Sequence, residues 1–100
     1  MTKSDLISEI ALQTGIDQSD VEASVEAFII IVKDSMADGK NIYIRGFGSF
    51  INRKRAKKVA RNISKNTAII IDEHYIPFFK PSKKFVKLIK ESRKVIKANS

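Results

Sequence analysis

Residues 53–65 place seven lysines and arginines in thirteen positions, with no acid among them. Such a run cannot enter a core, because each unpaired charge there would lose its hydration. Nor is it a tail. It lies between Ile44-Arg45-Gly46-Phe47-Gly48-Ser49-Phe50 and Ala68-Ile69-Ile70-Ile71, two stretches with strand character. The chain therefore has to hold a basic ribbon outside its folded body. If residues 53–77 project in this way, roughly 75 residues remain to build a core, enough for only a few kcal/mol.

Those residues carry more apolar surface than one small body covers. Phe28-Ile29-Ile30-Ile31-Val32 is apolar on all sides of a helix, and six phenylalanines follow the same logic: Phe28, Phe47, Phe50, Phe78, Phe79 and Phe85. A second subunit is expected to cover them, with Phe28, Ile29, Val32, Phe47, Phe50 and Phe79 at the dimer core.

Charge divides the chain in two. Residues 1–40 hold three bases against eight acids, and residues 41–100 hold sixteen bases against three acids, within a net charge of +8. An anionic partner is met by the second part, and phosphate is the obvious one. There is no cysteine, so neither a disulfide framework nor a thiolate site is available, which suits a reducing cytoplasm. The longest apolar run, Ala27–Val32, is too short for a membrane span, and a soluble protein is expected.

Local signals order the elements. Thr2 and Asp5 form a capping-box pattern, Leu6, Ile7, Ile10 and Ala11 repeat at helical spacing, and Gly15 stops the first helix. Asp17 is placed to cap a second, whose apolar stripe is Val21, Val25, Phe28, Ile29, Val32 and Met36 and whose stop is Gly39. The period then changes to two at Ile42 and Ile44, and Gly46-Phe47-Gly48 turns into Ser49–Arg53. Residues 53–62 and 67–77 read as one long hairpin turning at Ser64-Lys65-Asn66. Pro81-Ser82 opens a final helix with Phe85, Leu88, Ile89, Val95 and Ile96 on one face. The expected fold is α+β: two N-terminal helices, a three-stranded antiparallel sheet with a protruding β-hairpin arm, and a C-terminal helix. A single domain spans 1–100, with a helical dimerisation base (1–40), sheet and arm (41–81) and a basic C-terminal helix (82–100).

Other chemistries find little support. The second helix exposes Asp17, Asp20, Glu22, Glu26, Asp34 and Asp38 against Lys33 alone, so phosphates would repel it from a major groove. Gly46-Phe47-Gly48 lacks the following helix and the lysine of a phosphate-binding loop. His74 has no cysteine or second histidine with which to share a metal. No nucleophile, base and orienting group stand together in the pattern, so neither an enzyme, a small-molecule substrate nor a cofactor is expected.

Four segments together are specific: Met1-Thr2-Lys3-Ser4-Asp5-Leu6-Ile7, Arg45-Gly46-Phe47-Gly48-Ser49-Phe50, Arg61-Asn62 and Pro77-Phe78-Phe79-Lys80-Pro81. At these separations the chain resembles the HU/IHF family of bacterial histone-like architectural DNA-binding proteins, ungapped over about residues 1–92. The resemblance implies an intertwined dimer whose two β-arms wrap the minor groove of bent double-stranded DNA. It implies a cytoplasmic, nucleoid-associated protein that shapes or condenses the bacterial chromosome. Arg53, Arg55, Lys57, Lys58, Arg61 and Lys65 would then track the phosphates and the groove, with Asn62 beside them at the tip. Lys80, Lys83 and Lys84 would hold the flanking duplex.

The chain departs from the family pattern at the tip and the end. Where the family reads Gly-Arg-Asn-Pro, this chain has Ala60-Arg61-Asn62-Ile63, so Ile63 takes the position of the wedge proline. Lys65-Asn66 stands for the usual Thr-Gly, and residues 93–100 run past the usual end with Arg93, Lys94 and Lys97. Arg45, directly before the glycine–phenylalanine block, looks more like the IHF beta subunit than a typical HU. Sequence-tolerant bending by a homodimer is the expected function. Its rivals are a site-preferring IHF-like subunit, with a heterodimer partner, and a basic RNA-binding or scaffold protein. RNA readers display aromatics for base stacking, and only Tyr75 lies in the arm region.

Overall fold

A computed structural model describes all residues 1–100. Helix α1 (Lys3–Thr14) begins as the sequence predicts: the Thr2 and Asp5 side chains each bond the other's backbone N–H, at 3.3 and 2.8 Å. Gly15 closes it at φ 72°, a left-handed cap that a side chain would strain. Helix α2 (Gln18–Ala37) starts after Asp17, as expected, but the Asp17 carboxylate caps nothing. It accepts the Ser19 hydroxyl instead, at 2.9 Å. The helix ends at Asp38, with Gly39 just beyond it at φ 87°.

Strands β1 (Ile42–Ile44), β2 (Gly48–Arg55) and β5 (His74–Pro81) form an antiparallel sheet in the order β1-β2-β5. β3 (Lys58–Asn62) and β4 (Thr67–Ile71) form a separate two-stranded ribbon. The single long hairpin of the sequence reading is thus two ribbons. Pairing lapses at Ala56-Lys57 on one side and Asp72-Glu73 on the other. Charged residues favour strands poorly, and local contacts compete there: Asp72 O lies 3.0 Å from His74 Nδ1, and Glu73 pairs with Lys54 at 3.3 Å.

The C-terminal helix also divides. α3 (Lys83–Lys90) ends at Glu91, and Ser92 caps a new helix, α4 (Arg93–Ala98), accepting the Val95 N–H at 3.3 Å. A serine that can cap a new start competes with continuing the old helix. The expected single helix is corrected to two.

Because paired residues in a sheet share a face, the register sorts the side chains. Ile42, Ile44, Phe50, Asn52 and Phe79 face the helices, while Tyr43, Ser49, Ile51, Arg53, Arg55, Ile76, Phe78 and Lys80 face away. On the inner face Phe47, Phe50, Phe79 and Phe85 pack with ring centroids 5.0–6.4 Å apart, and Phe28 of α2 meets Phe50 at 6.5 Å. Phe78, expected with them, lies on the opposite face. Gly48 is obligatory here, since a Cβ would stand 2.6 Å from both the Lys80 carbonyl and the Phe79 ring. Asn52 ties sheet to helix: its amide donates to the Met36 and Lys40 carbonyls at 3.1 and 3.2 Å.

In the isolated chain this core stays open. Only Ile7, Val21, Met36 and Gly48 are buried, and Phe28, Ile29, Ile30, Ile31 and Phe47 remain exposed. The radius of gyration is 18.9 Å against about 13 Å for a compact chain of this length. The fold is half of a larger core with an arm projecting from it.

Candidate nucleic-acid interface

The arm is basic all round. Lys58 shares one face of the β3–β4 ribbon with Ile69 and Ile71, and Arg61 shares the other with Val59, Ala68 and Ile70. Every residue of β4 is exposed, so its isoleucines stiffen a strand that packs on nothing. At the tip, Asn66 takes φ 51° to close the turn. Asn62 Oδ1 accepts the Ser64 N–H and hydroxyl and the Lys65 N–H, at 3.2, 2.8 and 3.4 Å. Asn62 therefore shapes the tip, and its amide nitrogen makes no hydrogen bond within the chain. The turn it organises presents Ile63, 92% exposed, at the far end of the arm.

At the base of the arm, Arg55, Lys57 and Lys58 line a groove with His74, Ile71 and Ile76. Arg53 lies on the outer sheet face with its guanidinium 4.5 Å from the centre of the Phe78 ring. That stacking holds a long side chain in one orientation while leaving its donors outward. The sequence reading did not find Phe78 in this role; its position one strand residue out of phase with Phe79 carried the signal. Lys54, between Arg53 and Arg55, points to the other face and is paired with Glu73.

A second basic site lies beside the sheet. Arg45, Lys80 and Lys83 line one groove of about 600 Å³ with Tyr43, Ser49 and Ile51. Ser82 positions the start of α3 there: its N–H donates to Phe47 O at 2.9 Å, its hydroxyl to Gly46 O at 3.0 Å, and its Oγ accepts the Phe85 N–H at 3.1 Å. Lys84, next along, is exposed at the same end. The predicted contacts thus fall into two groups, the arm and this groove, linked by Arg53 and Arg55.

Lys3 is bound to Glu26, whose hydrogen bond and charge raise the lysine pKa. No three His, Cys, Asp or Glu side chains gather where they could hold a metal ion, and no helix is long and apolar enough to cross a membrane.

A family model described as bacterial DNA-binding protein matches residues 1–90. The chain belongs to this family, the HU/IHF proteins. Among its curated relatives, integration host factor subunit beta of Marinobacter nauticus is 40% identical over 95 residues, covering 94% of this chain and 97% of that protein. The Marinomonas subunit beta is 39% identical, covering 89% and 88%. Among solved structures, HU from an Anabaena HU–DNA cocrystal superposes with a TM-score of 0.85 at 24% identity, over 92% of this chain and all of that one. A variant of HU from Thermotoga maritima gives 0.68 at 28% identity, over 89% and 99%. The fold of these HU proteins is therefore shared over about nine-tenths of the chain.

Proposed function

We propose that this chain is a non-enzymatic, nucleoid-associated protein of the bacterial cytoplasm that binds and bends double-stranded DNA as a dimer. The observation that carries this is the arm: a ribbon basic on both faces, ending in a fully presented isoleucine. Lys57, Lys58, Arg61 and Lys65 follow the phosphates, Arg53 and Arg55 continue the contact onto the sheet, and Arg45, Lys80, Lys83 and Lys84 take the flanking duplex. Most of the affinity comes from released counterions, and selectivity from how easily a sequence deforms. The open aromatic core and the uncovered middle of α2 support the dimer, with Phe28, Ile29, Val32, Phe47, Phe50 and Phe79 meeting a second chain.

Ile63 acts as the wedge. Unstacking a base step takes a few kcal/mol, returned by the contacts a bent duplex allows. Proline would enter with φ fixed; isoleucine enters as a β-branched apolar group on the first residue of the tip turn, directly after β3. Energy transfer between the ends of a labelled duplex tests this. Ile63→Ala reduces the bend while most affinity persists, and Ile63→Pro bends at least as well. An alanine variant that bends like the parent refutes the wedge. A parent that does not bend duplex DNA at all favours the RNA or scaffold reading.

A second reading within the family is a site-preferring subunit of a heterodimer. It is favoured by the integration host factor beta subunits among the relatives and by Arg45 in the flanking groove. The mass of the purified chain in solution separates the two: a stable homodimer that binds unrelated duplexes equally supports the first, and a monomer that binds only with a paralogue supports the second.

A further inference from the structure

The flanking groove does not end at the sheet. A second groove, lined by Pro81, Lys83, Val86, Lys87, Lys90 and Glu91, adjoins it and shares Pro81 and Lys83 with it. Lys83, Lys87 and Lys90 lie at i, i+4 and i+7, one stripe along α3. At its end Ser92 donates its N–H to Ile89 O at 3.1 Å and restarts the chain as α4, on which Arg93, Lys94 and Lys97 are all exposed. From Lys83 to Ala98 seven bases accompany a single acid, Glu91. α4 lies wholly beyond residue 90, where the family match stops.

We propose that α3 and α4 form a rail for the phosphate backbone of duplex DNA outside the segment gripped by the arms, with α4 lengthening the site beyond what residues 1–90 reach. The inference rests on the DNA-binding reading above. Continuity with the Arg45–Lys80–Lys83 groove carries it, because α3 and α4, which continue that groove, hold no acid, and the only one between them is Glu91. A phosphate backbone also neutralises these lysines without burying them, whereas a protein partner would have to desolvate them.

The test titrates two duplexes, one just spanning the arms and one extended by about one helical turn, roughly 10 base pairs, on each side. The variants are Arg93→Gln/Lys94→Gln/Lys97→Gln, which keeps helix-forming residues in α4, and Glu91→Gln. On the long duplex the triple variant flattens the plot of log K against log salt by about 2 to 5 units, at about 0.9 per lost phosphate contact in the dimer. On the short duplex it matches the parent. Glu91→Gln tightens binding to the long duplex only. Variants indistinguishable from the parent on both duplexes overturn the rail alone. So does a triple variant that changes the oligomeric state with long-duplex binding intact, which makes α4 a protein contact. A parent that binds neither duplex overturns the DNA reading and the rail with it.

Discussion

β2–β5 and β3–β4 are consecutive ribbons of one chain reversal, both antiparallel and both in register, yet they are held by different things. The inner ribbon is packed on one face: Phe50 and Phe79 meet Phe47 and Phe85, and Asn52 is tied to α2. The outer ribbon has no second layer on either face. A two-stranded ribbon alone is marginal, and its like charges work against it. Stability resides in the first, and the proposed DNA contact in the second. The lapse at Ala56-Lys57 and Asp72-Glu73 is where one role gives way to the other.

The sharpest way to break this comparison is to remove the outer ribbon. Replacing residues 57–72 with Asn-Gly, a two-residue turn suited to joining antiparallel strands, leaves the thermal midpoint within a few degrees of the parent. DNA affinity falls by orders of magnitude, since the removed segment holds Lys57, Lys58, Arg61 and Lys65 of each chain. A shortened chain that fails to fold would show that the arm helps hold the body.

Single truncations in the two ribbons give the next largest contrast. Phe79→Ala removes a ring from the middle of the aromatic cluster and costs about 3 kcal/mol in denaturant unfolding. Ile70→Ala, on the exposed arm, changes stability by less than about 0.5 kcal/mol. Equal effects would mean the arm packs against something in the dimer.

How much of this division was legible follows from what each signal depends on. The caps at Thr2 and Gly15 and the turn at Asn66 rest on local chemistry, and sequence carries local chemistry directly. The split of the hairpin did not announce itself, because strand pairing fails there through contacts two or more residues apart, such as Lys54 with Glu73. The split of the last helix turned on Ser92 choosing to cap a new helix, which the apolar spacing of Leu88, Ile89, Val95 and Ile96 concealed. At the proposed interface, the basic residues stand out by charge alone. Phe78 under Arg53, and Asn62 as the builder of the tip, needed the register and the turn geometry.

Amide exchange sharpens the comparison at residue level. Protons through Lys57–Asp72 exchange rapidly in the free protein, while those of β2 and β5 between Phe50 and Phe79 are protected. Adding duplex DNA slows exchange in the arm and leaves the body as it was. Strong protection of the arm without DNA would deny that the outer ribbon depends on a ligand for its order.

The smallest expected effect lies at the other end of the molecule, where stability can be changed with no consequence for the arm. The backbone N–H of Thr2, and then its hydroxyl, donate to the Asp5 carboxylate and hold its pKa below the ordinary carboxylate value. A carboxylate whose pKa is lower folded than unfolded binds fewer protons when folded. Its contribution is therefore present above the unfolded pKa and fades as pH falls through the lower folded one. From pH 5 to 8 it is constant. Thr2→Ala takes away the hydroxyl that caps α1 and lowers the thermal midpoint by a few degrees at neutral pH. Asp5→Asn lowers it at neutral pH as well, and the gap between Asp5→Asn and the parent narrows below about pH 4, where the parent's carboxyl also takes up its proton. Neither substitution moves the DNA affinity at pH 7, because Thr2 and Asp5 belong neither to the arm nor to the residues lining the flanking groove. A Thr2→Ala variant with weakened DNA binding and an unchanged midpoint would place the start of α1 within the interface, and the division between a stabilising body and a binding arm would then have to be redrawn.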